Sequence, residues 1–286
     1  MALSVLRQIK GALASLNPGA VRAEADRVVR ISLVAASPEE LGRMETFLVP
    51  HHFSAERRAE AVRMLVRGPA LGCDFEVYDA ALLRPGKGFA LDLEAPDECI
   101  RRILKKREEL VLPLARNLYP FRKPAAHKII RAVARENAMF SLATAIPDIV
   151  PSLAMIPWAV GEFGSDTAFL TMNQIRMAFL LAAVSDRPIG YREQRSEVAS
   201  IIAGAFGWRA LARELVGKVP FGGGLIPKAG IAYAATYAVG LSLERLYRLG
   251  YGFTRDERRA VYEEAFLHGK QIAGMLLDSV RQRKAV

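Results

Sequence analysis

Cysteine is scarce in this chain of 286 residues: Cys73 and Cys99 stand alone, and no C-x-x-C occurs. A disulfide scaffold is therefore excluded, and two isolated thiols fit a reduced compartment in which both are structural. Histidine is nearly as thin. His51 and His52 are adjacent, while His127 and His268 sit singly in helical sequence. Without H-E-x-x-H or a second cluster of ligand side chains, no metal site is expected. Gly86-Lys87-Gly88 and Gly217-Lys218 lack the upstream glycine and following hydroxyl of a P-loop. No G-x-S-x-G marks a nucleophile. These absences point to a non-enzymatic protein with no catalytic residue and no cofactor. The N-terminus also lacks an unbroken apolar run, since Arg7 and Lys10 interrupt it, so it does not read as a secretory signal.

Apolar sequence is plentiful. Hydrophobic residues make up 51% of the chain and charged residues 24%, which excludes disorder and argues against a simple polytopic transporter. The length suits one large domain or two modest ones. The net charge is +10, with 23 basic against 17 acidic residues in 1–136, so the larger share of the excess lies there. Such a balance suits anionic lipid, nucleic acid or an acidic partner.

Residues 2–16 repeat Leu3, Leu6, Ile9, Leu13 and Leu16 near helical spacing, and Asn17-Pro18-Gly19 stops them. Residues 28–36 are β-branched and read as a strand. Ser37-Pro38-Glu39-Glu40 then has the order of a capping box, opening a helix to about Leu48. Ser54 caps a further helix expected over 55–67. Phe75–Leu83 and Phe89–Leu93 are short strand candidates, with Arg84–Gly88 turning the chain between them. From Pro96 onward the pattern is helical, with helices expected at 96–107, 124–142 and 196–216, and from the capping box Thr254–Glu257 to about Arg281. The fold class is mainly α: a helical body with broken apolar helices, preceded by a small α/β unit. The divisions are 1–19, an amphipathic N-terminal helix; 20–95, the α/β unit; and 96–286, the helical body.

The apolar segments raise the question of a membrane. Ala138–Gly161 has 24 residues and one charge, Asp148, but Pro147, Pro151 and Pro157 forbid a regular helix. Ser165–Ser185 is a second apolar stretch. Gly222–Leu243 has 22 residues and one charge, Lys228, and carries two small-residue ridges: Gly230, Ala234, Ala238 and Ala232, Thr236, Gly240. Such ridges let helices approach closely in lipid or in a soluble core. Gly222-Gly223-Gly224 before it reads as a hinge.

Polar residues inside these stretches are the candidates for a buried polar network: Asp148, Asp166, Asn173, Arg176 and Lys228. A buried charge needs a partner, so Lys228 is expected to pair with Asp166 or Asp148. Arg101, Arg102, Lys105, Lys106 and Arg107 lie on one helix, as a solvated face or a contact for an anionic surface. No aromatic residues interleave with them, so nucleic acid is the weaker reading.

The stretches RKPAAHKIIRAVARENAMFSLATAIPDIVP, SDTAFLTMNQIRMAFLLAAV and AFGWRALARELVGKVPFGGGLIPKAGIAYAATYAVG resemble the bacterial YcjF-like family of unknown function, over about residues 120–250. Asn137, Asp166, Asn173-Gln174, Trp208-Arg209, Ile226-Pro227-Lys228 and the segment 233–240 carry the resemblance. It implies membrane association and work beside an Era-like GTPase, whose phosphate-binding motifs this chain lacks. The sequence reading is thus a membrane-associated adaptor on the cytoplasmic side, with a GTPase or an anionic membrane as partner. Its alternatives are a soluble, cytoplasmic helical interaction domain, or an enzyme or transporter using the buried polar residues.

Overall fold

The structure is a computed structural model and describes residues 16–82, 88–144, 166–204 and 224–284. The expected N-terminal helix, the turn residues 84–87, Asp148 with its proline-broken segment, and Trp208-Arg209 lie outside the described residues. The chain is mainly α with one small parallel sheet, as expected. It divides into two compact units. One is 19–127 with 182–188, and the other holds 128–181 and 189–286. Helices that follow the sheet in sequence thus belong to its unit, and the boundary falls near 127 instead of 95.

The α/β unit runs α1 (Pro18–Ala25), β1 (Ile31–Val34), α2 (Pro38–Leu48), α3 (Ala55–Val62), β2 (Leu65–Arg67), β3 (Phe75–Asp79), β4 (Phe89–Leu91), α4 (Asp97–Lys106) and α5 (Val111–Asn117). The strands pair in the order β2-β1-β3-β4, all in parallel. Ile31 lies opposite both Leu65 and Phe75. Being central, β1 is buried along its whole length, which suits its unbroken apolar run. Residues 65–67 were expected to continue α3. They form β2 instead, because the N–H of Ile31 bonds the Met64 carbonyl at 2.7 Å and draws the chain into the sheet, so tertiary pairing overrides local helical pattern. Parallel neighbours normally need a crossover of about a dozen residues. The parallel neighbours β1 and β2 are joined through α2 and α3, and the short connection 68–74 carries the chain from β2 past β1 to β3 on its other side.

Ser37 caps α2 by accepting the Glu40 N–H at 3.1 Å. The reciprocal half of the expected box is replaced by a Glu40–Arg43 ion pair at 2.9 Å. The Thr254–Glu257 box is complete: Glu257 accepts the Thr254 N–H at 2.8 Å and Thr254 accepts the Glu257 N–H at 3.3 Å. That backbone donor first, and Arg245 second, hold the Glu257 carboxyl below its usual range.

The helical unit takes in α6 (Arg122–Ala143) from residue 128, α7 (Asp166–Val184) up to 181, helical residues 195–204, α8 (Leu225–Leu249) and α9 (Arg255–Lys284). Helices α8 and α9 form an antiparallel hairpin. Gly250, at φ +88, ends α8 in the left-handed conformation and donates to the Leu246 carbonyl at 2.9 Å. The two small-residue ridges of α8 serve two different neighbours. Ala234 and Ala238 pack with Tyr262, Ala265 and Phe266 of α9. Gly240, on the other ridge, meets α6 and α7. A methyl group there would lie 2.8 Å from both Ile130 γ carbons and 3.0 Å from the Met177 sulfur.

Among the described residues, Thr167–Val184 is the one stretch long and apolar enough to cross a membrane, with mean hydropathy 1.3, and 78% of it is buried within the fold. This is the behaviour of a core helix.

Two glycines test this packing. Gly240→Ala should destabilise by about 1–3 kcal/mol, because the surroundings must move to admit a methyl. Gly274, within α9, has nothing within 4 Å of the place a methyl would take, so Gly274→Ala should stabilise by about 0.5–1 kcal/mol through helix propensity. Denaturant midpoints of the two variants should move in opposite directions.

Candidate functional site

In the helical unit, polar side chains from three helices meet in the core. Asn137 of α6, Asn173 and Gln174 of α7 and Thr236 of α8 are all buried. Asn137 donates to Thr236 Oγ1 at 2.7 Å and accepts from Asn173 at 2.8 Å. Gln174 donates to the same Thr236 hydroxyl at 3.2 Å, and that hydroxyl donates to the Ala232 carbonyl at 2.9 Å. Its single donor and both lone pairs are therefore used. Asn173 also donates to Glu136 at 3.1 Å and accepts from Arg176 Nε at 3.1 Å. Arg176 closes the network with a 2.6 Å bond to Glu136, where both side chains are about a quarter to a third exposed.

The structure thus brings together two of the five residues expected in a buried network, Asn173 and Arg176. Lys228 is exposed in the first turn of α8, which corrects its expected burial, while its expected pairing with Asp148 or Asp166 involves side chains outside the described residues. Asp166 opens α7, its side chain outside the description, as is all of Asp148. Glu136 and Thr236 were not singled out. The signal for them was polarity inside apolar helices, and for Thr236 its place on a small-residue ridge.

A second cluster lies in the α/β unit. Asp186 follows α7 with φ 57, a conformation that aspartate tolerates better than most residues. Its two carboxylate oxygens serve two arginines, Arg57 of α3 and Arg122 at the start of α6. Both guanidinium groups also donate to the Arg116 carbonyl, at 3.1 and 3.2 Å. Arg122 lies 4.9 Å from the centre of the Phe53 ring, and burial lowers its pKa. Phe53, His52 and Tyr119 pack edge to face around it. Of the His51-His52 pair, His52 thus makes an aromatic contact, and no group of three metal-ligating side chains occurs among the described residues.

The basic helix is α4. Cys99, Ile100, Ile103 and Leu104 are buried beneath it, and burial pushes the Cys99 thiol up to about 12. Arg101, Arg102, Lys105 and Lys106 are exposed. Arg101 pairs with Glu98 at 3.0 Å. Arg107 departs from this face: it is half-buried, follows the helix as its cap, and its guanidinium donates to the Asp74 carbonyl.

None of the family models, characterised proteins or solved structures compared with this chain matches it.

Removing one member of the core network takes a hydrogen bond from its partners. Asn137→Leu should cost about 1–3 kcal/mol, since Thr236 and Asn173 each lose one hydrogen bond in a buried site while keeping their bonds to Gln174 and Glu136. Its effect should combine non-additively with Asn173→Leu in a double-mutant cycle. Asp186→Ala should cost about 2–3 kcal/mol by leaving two guanidinium groups without their shared carboxylate, a figure reduced because the carboxylate is 22% exposed. Urea titration of both variants measures these effects.

Proposed function

We propose that this chain is a non-enzymatic adaptor that attaches peripherally to an anionic membrane surface on the cytoplasmic side. The observation that carries this reading is the outer face of α4. Arg102, Lys105 and Lys106 are exposed there and form no ion pair among the described residues. Each cation held near an anionic leaflet contributes about 1 kcal/mol, and the net charge of +10 acts in the same direction. Attachment without insertion is supported by the protein cover over Thr167–Val184 and by the mutually satisfied polar core. The YcjF-like resemblance adds an Era-like GTPase as the protein partner that such an adaptor would hold.

The covered core also favours a second reading, a soluble interaction domain. Vesicle co-sedimentation separates the two. The chain should bind phosphatidylcholine vesicles that contain phosphatidylserine, not phosphatidylcholine alone, and should be released by salt. The triple variant Arg102→Glu, Lys105→Glu, Lys106→Glu should weaken that binding about a hundredfold or more, since three contributions of about 1 kcal/mol are lost. A parent chain that stays in the supernatant at low salt would leave the soluble reading standing.

A further inference from the structure

The two most exposed large apolar side chains in the described structure are Leu71, at 98%, and Val28, at 81%. Lone exposed apolar residues are ordinary on protein surfaces. These two share a surrounding that sets them apart. Leu71 sits in the loop 68–74 that joins β2 to β3, and Val28 lies two residues before Arg30. Both segments are tied to Asp74. The Asp74 carboxylate accepts the Arg30 N–H at 2.9 Å and faces the Arg27 guanidinium at 3.8 Å. The Asp74 N–H donates to the Arg30 carbonyl at 2.8 Å, and the Asp74 carbonyl accepts from Arg107, directly after Lys105 and Lys106.

Chain length then bounds the patch. At about 3.6 Å per residue, Leu71 lies within ~11 Å of Asp74 and Val28 within ~7 Å of Arg30. Arg27, Arg30, Lys105 and Lys106 are exposed within a few residues of these anchor points, with Glu108 and Glu109 also exposed beyond Arg107, so two apolar prongs are tethered close to cations.

The exposure of Leu71 belongs to a fixed loop. The Gly68 N–H donates to the Leu33 carbonyl at 2.7 Å and the Ser32 hydroxyl to the Gly68 carbonyl at 2.8 Å, while Asp74 pins the far end. Gly68 and Gly72 take φ of +79 and +73, which side chains other than glycine resist. The backbone thus presents Leu71 outward at the cost of leaving it in water.

We infer that the 68–74 loop is an insertion point, with Leu71 entering the acyl boundary of an anionic bilayer while the surrounding cations meet its headgroups. This rests on the membrane attachment proposed above. Cations tethered near an apolar prong match the two layers of such a surface, and the pairing of buried apolar area with electrostatic attraction is what holds peripheral proteins there.

The test uses the full chain, phosphatidylcholine vesicles with and without phosphatidylserine, and four proteins: the parent, Leu71→Ser, Leu71→Trp and the triple α4 variant. Because Leu71 contacts almost nothing, Leu71→Ser should leave the unfolding midpoint unchanged and lower the partition coefficient on anionic vesicles about tenfold or more. Leu71→Trp should add a blue-shifted emission quenched by brominated acyl chains, above the signal of the parent's Trp158 and Trp208. Equal partition of parent and Leu71→Ser would overturn the loop proposal and leave the α4 reading intact. Loss of binding in Leu71→Ser with unchanged binding in the triple variant would support insertion of Leu71, leave Arg27 and Arg30 as the cations that accompany it, and overturn the α4 reading. A parent that binds no vesicle would overturn both, and selective retention on an acidic protein column would then point to a protein partner.

Discussion

Close approach to one helix is the constraint on which the helical unit depends. Helix α8 has small residues on two sides, so α9 can pack on one ridge while α6 and α7 pack on the other. Where backbones come this near, the side chains between them have few arrangements available. Gly240 shows it directly: no space remains for a single carbon between it and Ile130. The polar contact of Thr236 with Asn137 and Gln174 exists because those backbones are close enough for short side chains to meet. Packing therefore comes first, and the hydrogen bonds fix which of several close packings is adopted. Apolar ridges alone would tolerate a shift of one helical turn. Asn137, Asn173 and Thr236 would not, since a shift strands donors in a medium that cannot hydrate them.

The two polar clusters differ in kind. The core network of the helical unit is neutral at its centre and becomes charged only at Arg176 and Glu136, where solvent begins. The cluster around Asp186 is ionic throughout, with two arginines on one carboxylate and an aromatic ring beneath one of them. Neutral amides suit a site from which water is excluded, because burying a charge costs more than burying an amide. The ionic cluster retains partial exposure and so avoids most of that penalty. Each arrangement matches the dielectric of its place.

Much of this was legible in the sequence, and what was not has a common cause. Local signals read well: Ser37-Pro38 set the start of α2, and Thr254 and Glu257 made their full reciprocal pair. The two ridges of α8 were visible as an i+4 pattern, but a pattern of small residues does not say whether lipid or protein fills the groove. The strand at 65–67 was hidden because its partner, β1, lies more than thirty residues earlier. The same distance problem hid the core network. Asn137 and Thr236 are 99 positions apart, and no local rule joins them. The expected burial of Lys228 failed because a charge inside an apolar run resembles a buried charge, whereas its place in the first turn of α8 leaves it exposed. Arg107 shared the basic run of α4 and yet turned to a backbone carbonyl, a distinction that one residue past the helix end makes and composition does not.

The loop at 68–74 owes its shape to a different origin from that of the packed helices. Nothing stands within 4 Å of the place a methyl would take at Gly68 or Gly72, so the loop's form is written in two backbone dihedrals and a few terminal hydrogen bonds. The core can therefore drift through volume-conserving substitutions without altering what the loop presents. Conversely, a single β-carbon at either glycine would reshape the loop while barely touching the core. Stability and surface display are governed in this unit by separate sets of residues, and they can change independently of one another.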